Sequence, residues 1–300
     1  MQRAEEMAFL RTVQLGSIRA AARDLGLDAS GVSRRITALE RRLRTRLVDR
    51  SGKKTRVTEQ GHIFFEGLRE IIDQLESLEA EIGGESTHPT GLLRVTSAID
   101  FGQQFLTAWL LEFRALHPSV EFDLILSSSF LDMPQSRIDV ALRVGALPDS
   151  SLIARKLASV PRVLVAATSY LDRKGRPQTH RDLEGHDFVF FSSEHRNQPL
   201  DLIDPNGETV EAPRSSGVAI NAVHSVVEAV SAGAGIHNGP LWAFADRIAS
   251  GEVEMILPEY RLRTLPLHVL RPPSKVTPAR VTAFSDFIAA KVCDVNGLET

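Results

Sequence analysis

Residues 9–61 read FLRTVQLGSIRAAARDLGLDASGVSRRITALERRLRTRLVDRSGKKTRVTEQG, and this stretch decides the fold of the N-terminal part. Ala4, Met7, Ala8, Leu10, Val13 and Leu15 predict an amphipathic first helix, because apolar residues recur at helical spacing. Gly16 ends it, and Ser17 caps a second helix whose buried face is Ala20, Ala21 and Leu25. Gly26 suits a left-handed helix stop, and Leu27 plugs the core. Asp28 caps a third helix running to about Leu43. Val32, Ile36, Leu39 and Leu43 share its core stripe, and Ala29, Ser30, Ser33, Arg34 and Thr37 fall on the other side. Leu47-Val48 and Arg56-Val57 read as two short strands joined by the turn Ser51-Gly52-Lys53, a small wing carrying Arg50, Lys53 and Lys54.

A helix, a short turn and a second helix are what the major groove of DNA requires. One helix braces on the backbone while the next enters the groove by its N-terminus. Small residues at the front let the backbone come close, and arginines then reach phosphates or guanine edges. The charge follows this division. The whole chain carries −3, yet residues 1–61 hold 14 basic and 7 acidic residues, leaving 21 basic and 31 acidic elsewhere. A basic head on an acidic body points to a nucleic-acid-binding module joined to something else. The bias peaks in residues 34–56, where only Glu40 and Asp49 are acidic.

The stretch resembles the DNA-binding domain of the LysR-type transcriptional regulators. The matching positions are Gly16-Ser17, Ala20-Ala21, Leu25, Leu27, Val32-Ser33, Ile36, Leu39-Glu40, Leu43, Leu47, Arg50 and Thr58-Glu59 with Gly61. The resemblance implies a winged helix-turn-helix in which Ser17, Ala29, Ser30, Ser33, Arg34, Thr37, Arg50, Lys53 and Lys54 face DNA. One departure is Ala29, where the family often carries glutamine; alanine cannot make an amide contact to a base, which shifts base reading onto Ser33, Arg34 or the wing. Gly31 costs its helix about 1 kcal/mol against alanine.

After Thr58, a plausible N-cap, apolar residues recur at Phe64, Leu68, Ile71, Leu75, Leu78 and Ile82, the heptad seam of a coiled coil. Glu66, Glu70, Asp73, Glu76, Glu79 and Glu81 cover much of the rest, so the seam needs a partner. Either this chain's own domain or a second copy could supply it; the family resemblance favours homodimerisation, and a two-fold protein implies a two-fold DNA site. Residues 83–89, GGESTHP, read as a boundary.

From residue 91 strands alternate with helices. Strands are expected at 92–96, 120–126, 138–143, 154–157, 163–167, 188–191, 217–220 and 267–270, and helices at 101–117, 224–232, 241–249 and 279–290. The alternation predicts an α/β domain with mostly parallel sheets. GLLRVTSAIDFG, RIDVALRVG and the VSAGAGI stretch resemble the family's effector-domain motifs. The full expectation is therefore an α/β protein with an N-terminal all-α winged helix-turn-helix (1–60), a long linker helix (58–90) and a C-terminal two-lobed effector domain (91–300) resembling periplasmic binding proteins. Lobe I would hold about 91–161 and 267–295, and lobe II about 162–266.

Ligands in such folds sit between lobes, at strand C-termini. By position the lining candidates are Ser97, Ala98 and Phe101, then Ser127, Ser128 and Ser129, with Arg143 ending the third strand. Ser192, Ser193, His237 and Asn238 come from the other lobe. An arginine here can grip a carboxylate in bidentate fashion, so a small carboxylate is the expected effector. Pro134 should perturb a short segment that relatives make helical.

Other function classes lack their signatures. No Gly-x-Ser-x-Gly elbow, His-Glu-x-x-His pair or phosphate loop occurs, and Asp204-Pro-Asn206-Gly207 is a turn rather than a calcium loop. The single cysteine, Cys293, cannot form a disulfide framework. No apolar run approaches the roughly 20 residues that span a bilayer, and no signal-peptide pattern opens the chain. The expectation is a cytoplasmic, non-enzymatic regulator without metal or cofactor. Its partners would be double-stranded promoter DNA with an inverted repeat, an effector, a second copy in a homodimer or homotetramer, and RNA polymerase.

Overall fold

The structure is a computed structural model that describes residues 2–49, 56–83, 89–129, 131–192, 198–214, 217–274 and 277–300. Apart from Val276–Pro278 the chain divides into two compact units, Met1–Thr87 and His88–Lys275 with Ala279–Thr300.

The first unit contains α1 (Gln2–Gln14), α2 (Ile18–Asp24), α3 (Ala29–Leu43), β1 (Val48–Asp49), β2 (Arg56–Val57) and α4 (Glu59–Gly83). Each boundary has a local cause. Gly16 and Gly26 take φ of +63° and +62°, which a side chain would oppose. The Ser17 hydroxyl accepts from Ala20 N–H at 3.4 Å, and Asp28 Oδ1 accepts from Gly31 N–H at 3.0 Å. Helix α3 ends at Leu43 as read, and Arg44 takes the left-handed cap at φ 55°. Val32, Ile36 and Leu39 are fully buried with Phe9, Ala21 and Leu47, so the α3 stripe makes the core as read.

The linker helix differs from the expected seam. Phe64 and Leu68 pack into the first unit's own core beside Phe65 and Ile72. Ile63 (64% exposed), Ile71 (63%) and Leu75 (37%) lie outside it. The reason is phase: a helix that buries 65, 68 and 72 cannot also turn 64 and 68 outward, so the heptad splits between two faces. The side chains of Leu78 and Ile82 lie outside the described residues.

The second unit begins with β3 (Gly91–Ser97), a short α5 (Ile99–Phe101), a π-helical turn (Gly102–Leu106), α6 (Thr107–Leu116) and β4 (Val120–Leu126). It continues through β5 (Val140–Val144), β6 (Ile153–Val160), β7 (Arg162–Ala167), α7 (Thr168–Lys174), β8 (Phe188–Phe191), β9 (Leu200–Ile203), β10 (Thr209–Ala212), β11 (Gly217–Ile220) and α8 (Val223–Ser231). The last elements are β12 (His237–Pro240), α9 (Leu241–Ala249), β13 (Val253–Ile256), β14 (Leu265–Arg271) and α10 (Ala279–Cys293).

Two lobes result. The larger sheet has the order β4-β3-β5-β14-β6. Here β3 pairs in parallel with β4 and β5, while the returning β14 runs antiparallel to β5 and β6. Its core gathers Leu93, Val95, Phe113, Leu142, Val269 and Phe284. In the other lobe β7 lies antiparallel between β12 and β13, and β8 pairs in parallel with β11. The expectation of mostly parallel sheets is thus corrected to mixed ones: the returning β14 is antiparallel to both its neighbours, and β7 to both of its own. Around Pro134, residues 133–137 form turns, not a helix, as the proline predicts.

The π turn is a close-approach device. A Cβ on Gly102 would stand 2.2 Å from Leu126 Cδ2. Glycine lets β4 press on the turn, and Thr107 Oγ1 donates to Gly102 O at 3.1 Å across the widened loop. Gly61 does the same in the first unit, where an added Cβ would meet Leu47 O at 2.1 Å and Val57 Cγ1 at 2.8 Å. Gly61→Ala is therefore expected to lower the stability of that unit by about 1–3 kcal/mol through overpacking, read as a drop in its melting temperature, while Gly67→Ala, which meets nothing within 4 Å, should leave it unchanged or raised.

Candidate functional site

The first site is the outer face of α3. Asp28 holds the helix start: its carboxylate accepts from the Ser30 hydroxyl and from Gly31 N–H, and these bonds, led by Ser30, hold its pKa below the ordinary value. Ala29, Ser30, Arg34 and Thr37 are exposed, and Ser33 is half-buried. The Thr37 hydroxyl donates back to Ser33 O at 2.9 Å, which leaves its lone pairs outward.

Apart from Asp28, several of the unit's carboxylates are engaged away from this face. Glu5 and Glu6 pair with Arg42, and Asp24 pairs with Arg11 at 3.1 Å. Glu40 Oε1 accepts from Leu47 N–H at 2.9 Å and Val48 N–H at 3.0 Å. The Arg34 side chain, by contrast, forms no hydrogen bond or ion pair with any described residue, though its charge helps to lower the Asp28 pKa, and the Arg46 side chain likewise has no such partner. The wing's β1 is thereby tied to the rear of α3 by one carboxylate. Ser17 closes α2 as its cap. Arg50, Lys53 and Lys54 lie outside the described residues.

The second site lies between the lobes of the second unit, at the ends of β3, β4, β5 and β8. Ser97 is fully buried and its hydroxyl has no hydrogen-bond partner. Arg143, 5% exposed, donates to Ser127 O at 2.8 Å, Ser129 O at 3.1 Å and Thr96 Oγ1 at 3.3 Å. Burial pushes its pKa down. Its fork thus holds the Ser127–Ser129 turn in place. Ser127 and Ser129 also share a hydroxyl bond at 2.9 Å, while Ser128 is exposed. Ala98 precedes α5 and is half-buried.

Two expected lining residues are sealed instead. Phe101 is 2% exposed and packs edge-on against Trp109 and Trp242 at 6.0 Å each; the π turn rolls it into the lobe core. His237, 3% exposed, sits in β12 with Nδ1 at 2.7 Å from Val189 O and its ring against Phe244. Ser192 ends β8 at φ 67° with its N–H on Ile220 O at 2.9 Å. Asn238 lends its carbonyl to Arg162 at 3.3 Å. Ser193 lies outside the described residues.

The structure adds residues that the sequence did not reveal. Asp100 Oδ1, in one lobe, accepts from Val223 N–H at 2.8 Å and His224 N–H at 3.3 Å at the start of α8 in the other. The α8 cap position, Ala222, has no side-chain cap, so Asp100 serves as one across the cleft. Arg162 and Arg214 also lie near enough in lobe II for the charge of the second to lower the pKa of the first. The acid at the head of a helix in SAIDF was the only sequence signal for the first, and an arginine opening the apolar VLVAA strand the only one for the second.

Two family descriptions match in tandem. Residues 7–62 match "Bacterial regulatory helix-turn-helix protein, lysR family", and residues 86–292 match "LysR substrate binding domain". The chain belongs to the LysR family. It is a LysR-type DNA-binding transcriptional regulator with an effector-binding domain. The HTH-type transcriptional activator AaeR of Escherichia coli is 30% identical over 94% of this chain and 91% of its own length. An HTH-type transcriptional repressor of Pseudomonas aeruginosa is 30% identical over 93% of this chain and 89% of its own. The LysR-type regulator CrgA of Neisseria meningitidis has a solved structure with TM-score 0.62, 26% identity and coverage of 96% and 98%. Regulators of this family bind DNA and small-molecule effectors and form oligomers. Among the described residues no acidic, histidine or cysteine cluster could hold a metal, and no helix is long and apolar enough to cross a membrane.

The Asp100 cap across the lobes of this LysR regulator is testable. Asp100→Ala leaves two N–H groups of α8 without their acceptor and should cost about 1 kcal/mol, read as a lower melting temperature, whereas Asp100→Asn keeps an acceptor oxygen and should recover most of it.

Proposed function

We propose that this regulator reads an inverted-repeat promoter site as a dimer or tetramer, using α3 and the wing, and that a small effector lodged between the lobes adjusts that binding. Residues 1–60 serve as the DNA-binding head, 58–90 as the linker and 91–300 as the sensor. The observation that carries the reading is the outer face of α3: a capped helix start with short side chains, then an exposed arginine that forms no ion pair with any described residue.

Each head residue has a role in this proposal. Ser30, Ser33 and Arg34 reach base edges, with Ala29 making room and Thr37 offering a hydroxyl. Ser17, at the start of α2, meets the phosphate backbone, as do Arg50, Lys53 and Lys54 of the wing. Cations on phosphates set affinity and salt dependence, not sequence preference. The exposed Ile63, Ile71 and Leu75 give the linker helix its face for a second copy.

In the sensor, Ser97, Ala98, Ser127, Ser128, Ser129 and Ser192 supply hydroxyl and backbone groups to the effector, and Arg143 acts by holding the serine turn. The effector is a carboxylate. Its binding shifts the balance between lobe arrangements held with and without the Asp100 cap, by no more than its difference in affinity for the two. The result reaches RNA polymerase through the placement of the heads on DNA. The protein works in the cytoplasm and is not an enzyme.

Two variants test the head and the linker. Ser33→Ala and Arg34→Ala are expected to flatten the sequence preference of DNA binding, with Arg34→Ala costing about 1–3 kcal/mol at one base position; an unchanged preference in both, measured by competition between base-substituted duplexes, sinks the assignment. Replacing Ile71 and Leu75 together by lysine should shift the sedimentation of the full chain to smaller species, and an unchanged oligomer would place the main interface elsewhere.

A further inference from the structure

Lobe II holds two arginines that no described carboxylate pairs with. Arg162 opens β7 directly after Pro161, where the chain arrives from the other lobe. One of its Nη groups donates to Asn238 O at 3.3 Å. Arg214 follows β10, and its guanidinium lies over the Phe190 ring, 5.3 Å from the centroid. Its Nη2 is buried and has no hydrogen-bond partner.

Strand register brings the two side by side. In β7, Leu164 stands opposite Asn238 of β12. On the far side of β12, Ile236 bridges in parallel to Phe188 of β8, so Asn238 comes level with Phe190 two residues on. The carbonyl that holds Arg162 and the ring beneath Arg214 are therefore neighbours. Burial pushes both guanidiniums below their ordinary pKa, and the charge of Arg214 pushes Arg162 further. Glu211 is close enough to favour the Arg214 cation but forms no ion pair with it. Two like charges, half-buried and without an ion-pair partner among the described residues, are unfavourable unless something external answers them.

We infer that Arg162 and Arg214 form an oxyanion subsite of lobe II, which takes the carboxylate or phosphate group of the effector. The pair stands at the start of β7 and the C-terminal end of β8, on the same edge as Ser192. A planar guanidinium offers parallel donors that match a carboxylate, and a phosphate can bridge two such forks. The Phe190 face holds one fork flat and leaves its edge for the ligand. This subsite rests on the reading of the second unit as the sensor and assigns its charge selectivity to two residues of lobe II, with Arg143 left as a brace of lobe I.

The test is thermal unfolding of the full-length protein with malonate, with inorganic phosphate, and with chloride at matched ionic strength. The inference expects the wild type to melt higher in malonate or phosphate than in chloride. Arg162→Gln and Arg214→Gln should each weaken the half-saturating concentration at least tenfold. In chloride alone, Arg214→Gln should be as stable as the wild type or more so, because it removes one of two crowded charges. Arg214→Lys distinguishes the ligands: losing the planar fork should weaken malonate more than phosphate. Far-UV circular dichroism verifies folding, and if the glutamine variants unfold, the lysine variant decides. No anion-specific rise in the wild type, or responses unaltered by the substitutions, overturns the subsite. A neutral metabolite that stabilises the wild type and both glutamine variants alike, but not Ser97→Trp, would overturn it while leaving the sensor reading intact.

Discussion

The carboxylate of Glu40 holds the DNA-binding head together. From the rear of α3 it accepts two backbone N–H groups, at Leu47 and Val48. Without it these donors would be buried and unmatched, at about 1–3 kcal/mol each. The clamp fixes where the wing's first strand leaves the recognition helix. The same Leu47 then offers its carbonyl to Thr58 N–H at 3.0 Å, against which Gly61 packs. Thr58 in turn caps the linker helix by accepting from Gly61 N–H at 3.0 Å. One short chain of hydrogen bonds therefore sets the helix, the wing and the start of the linker. Using its acids internally also leaves the head's outer face cationic, so the architecture and the electrostatics share one cause.

The sensor is organised by contacts that cross between its lobes. Trp242, at the start of α9 in one lobe, packs on Phe101 and Phe105 of the other, with ring centroids 6.0 and 5.5 Å apart. Nearby, Leu241 N–H donates to Pro161 O at the crossover. This aromatic cluster joins the lobes by a packed apolar contact. Asp100 on α8 is a contact of a different kind: polar, and made of one acceptor for two donors. A ligand competes more readily with such a bond than with a packed indole. The proposed switching thus places rigidity at the tryptophan and adjustability at the aspartate.

Much of the head was legible because its signals are local. Ser17, Gly26 and Asp28 act within a few residues of themselves, and the structure gives each the conformation its chemistry demands. The same holds for Pro134 and for the turn at Asp204, whose carboxylate accepts from Asn206 N–H and Glu208 N–H at 2.9 Å. What escaped depends on partners far away in sequence. The antiparallel seat of β14, the Asp100 cap on α8 and the approach of Arg214 to Arg162 all depend on contacts that no local window contains. The heptad was misread for a related reason. Periodicity shows that Phe64 and Leu68 are apolar at the right spacing, but only the packing of α4 on α1 shows that they are used up within the unit. Phe101 escaped because a π turn changes which way a helix faces, and glycine at 102 marks that turn only once Leu126 is seen against it. Relatives at the same 30% identity include an activator and a repressor, so similarity at this level does not fix the direction of regulation.

Sequence-specific recognition by a symmetric pair of heads is the central proposal for this protein. Selection of binding sites from a random duplex library by the full-length protein, at physiological salt, tests it most directly. The account predicts enrichment of a two-fold-symmetric consensus, with its half-sites about one helical turn apart or a multiple of it. Retention of DNA without any enriched sequence, falling off with salt alone, would contradict it and leave only electrostatic binding.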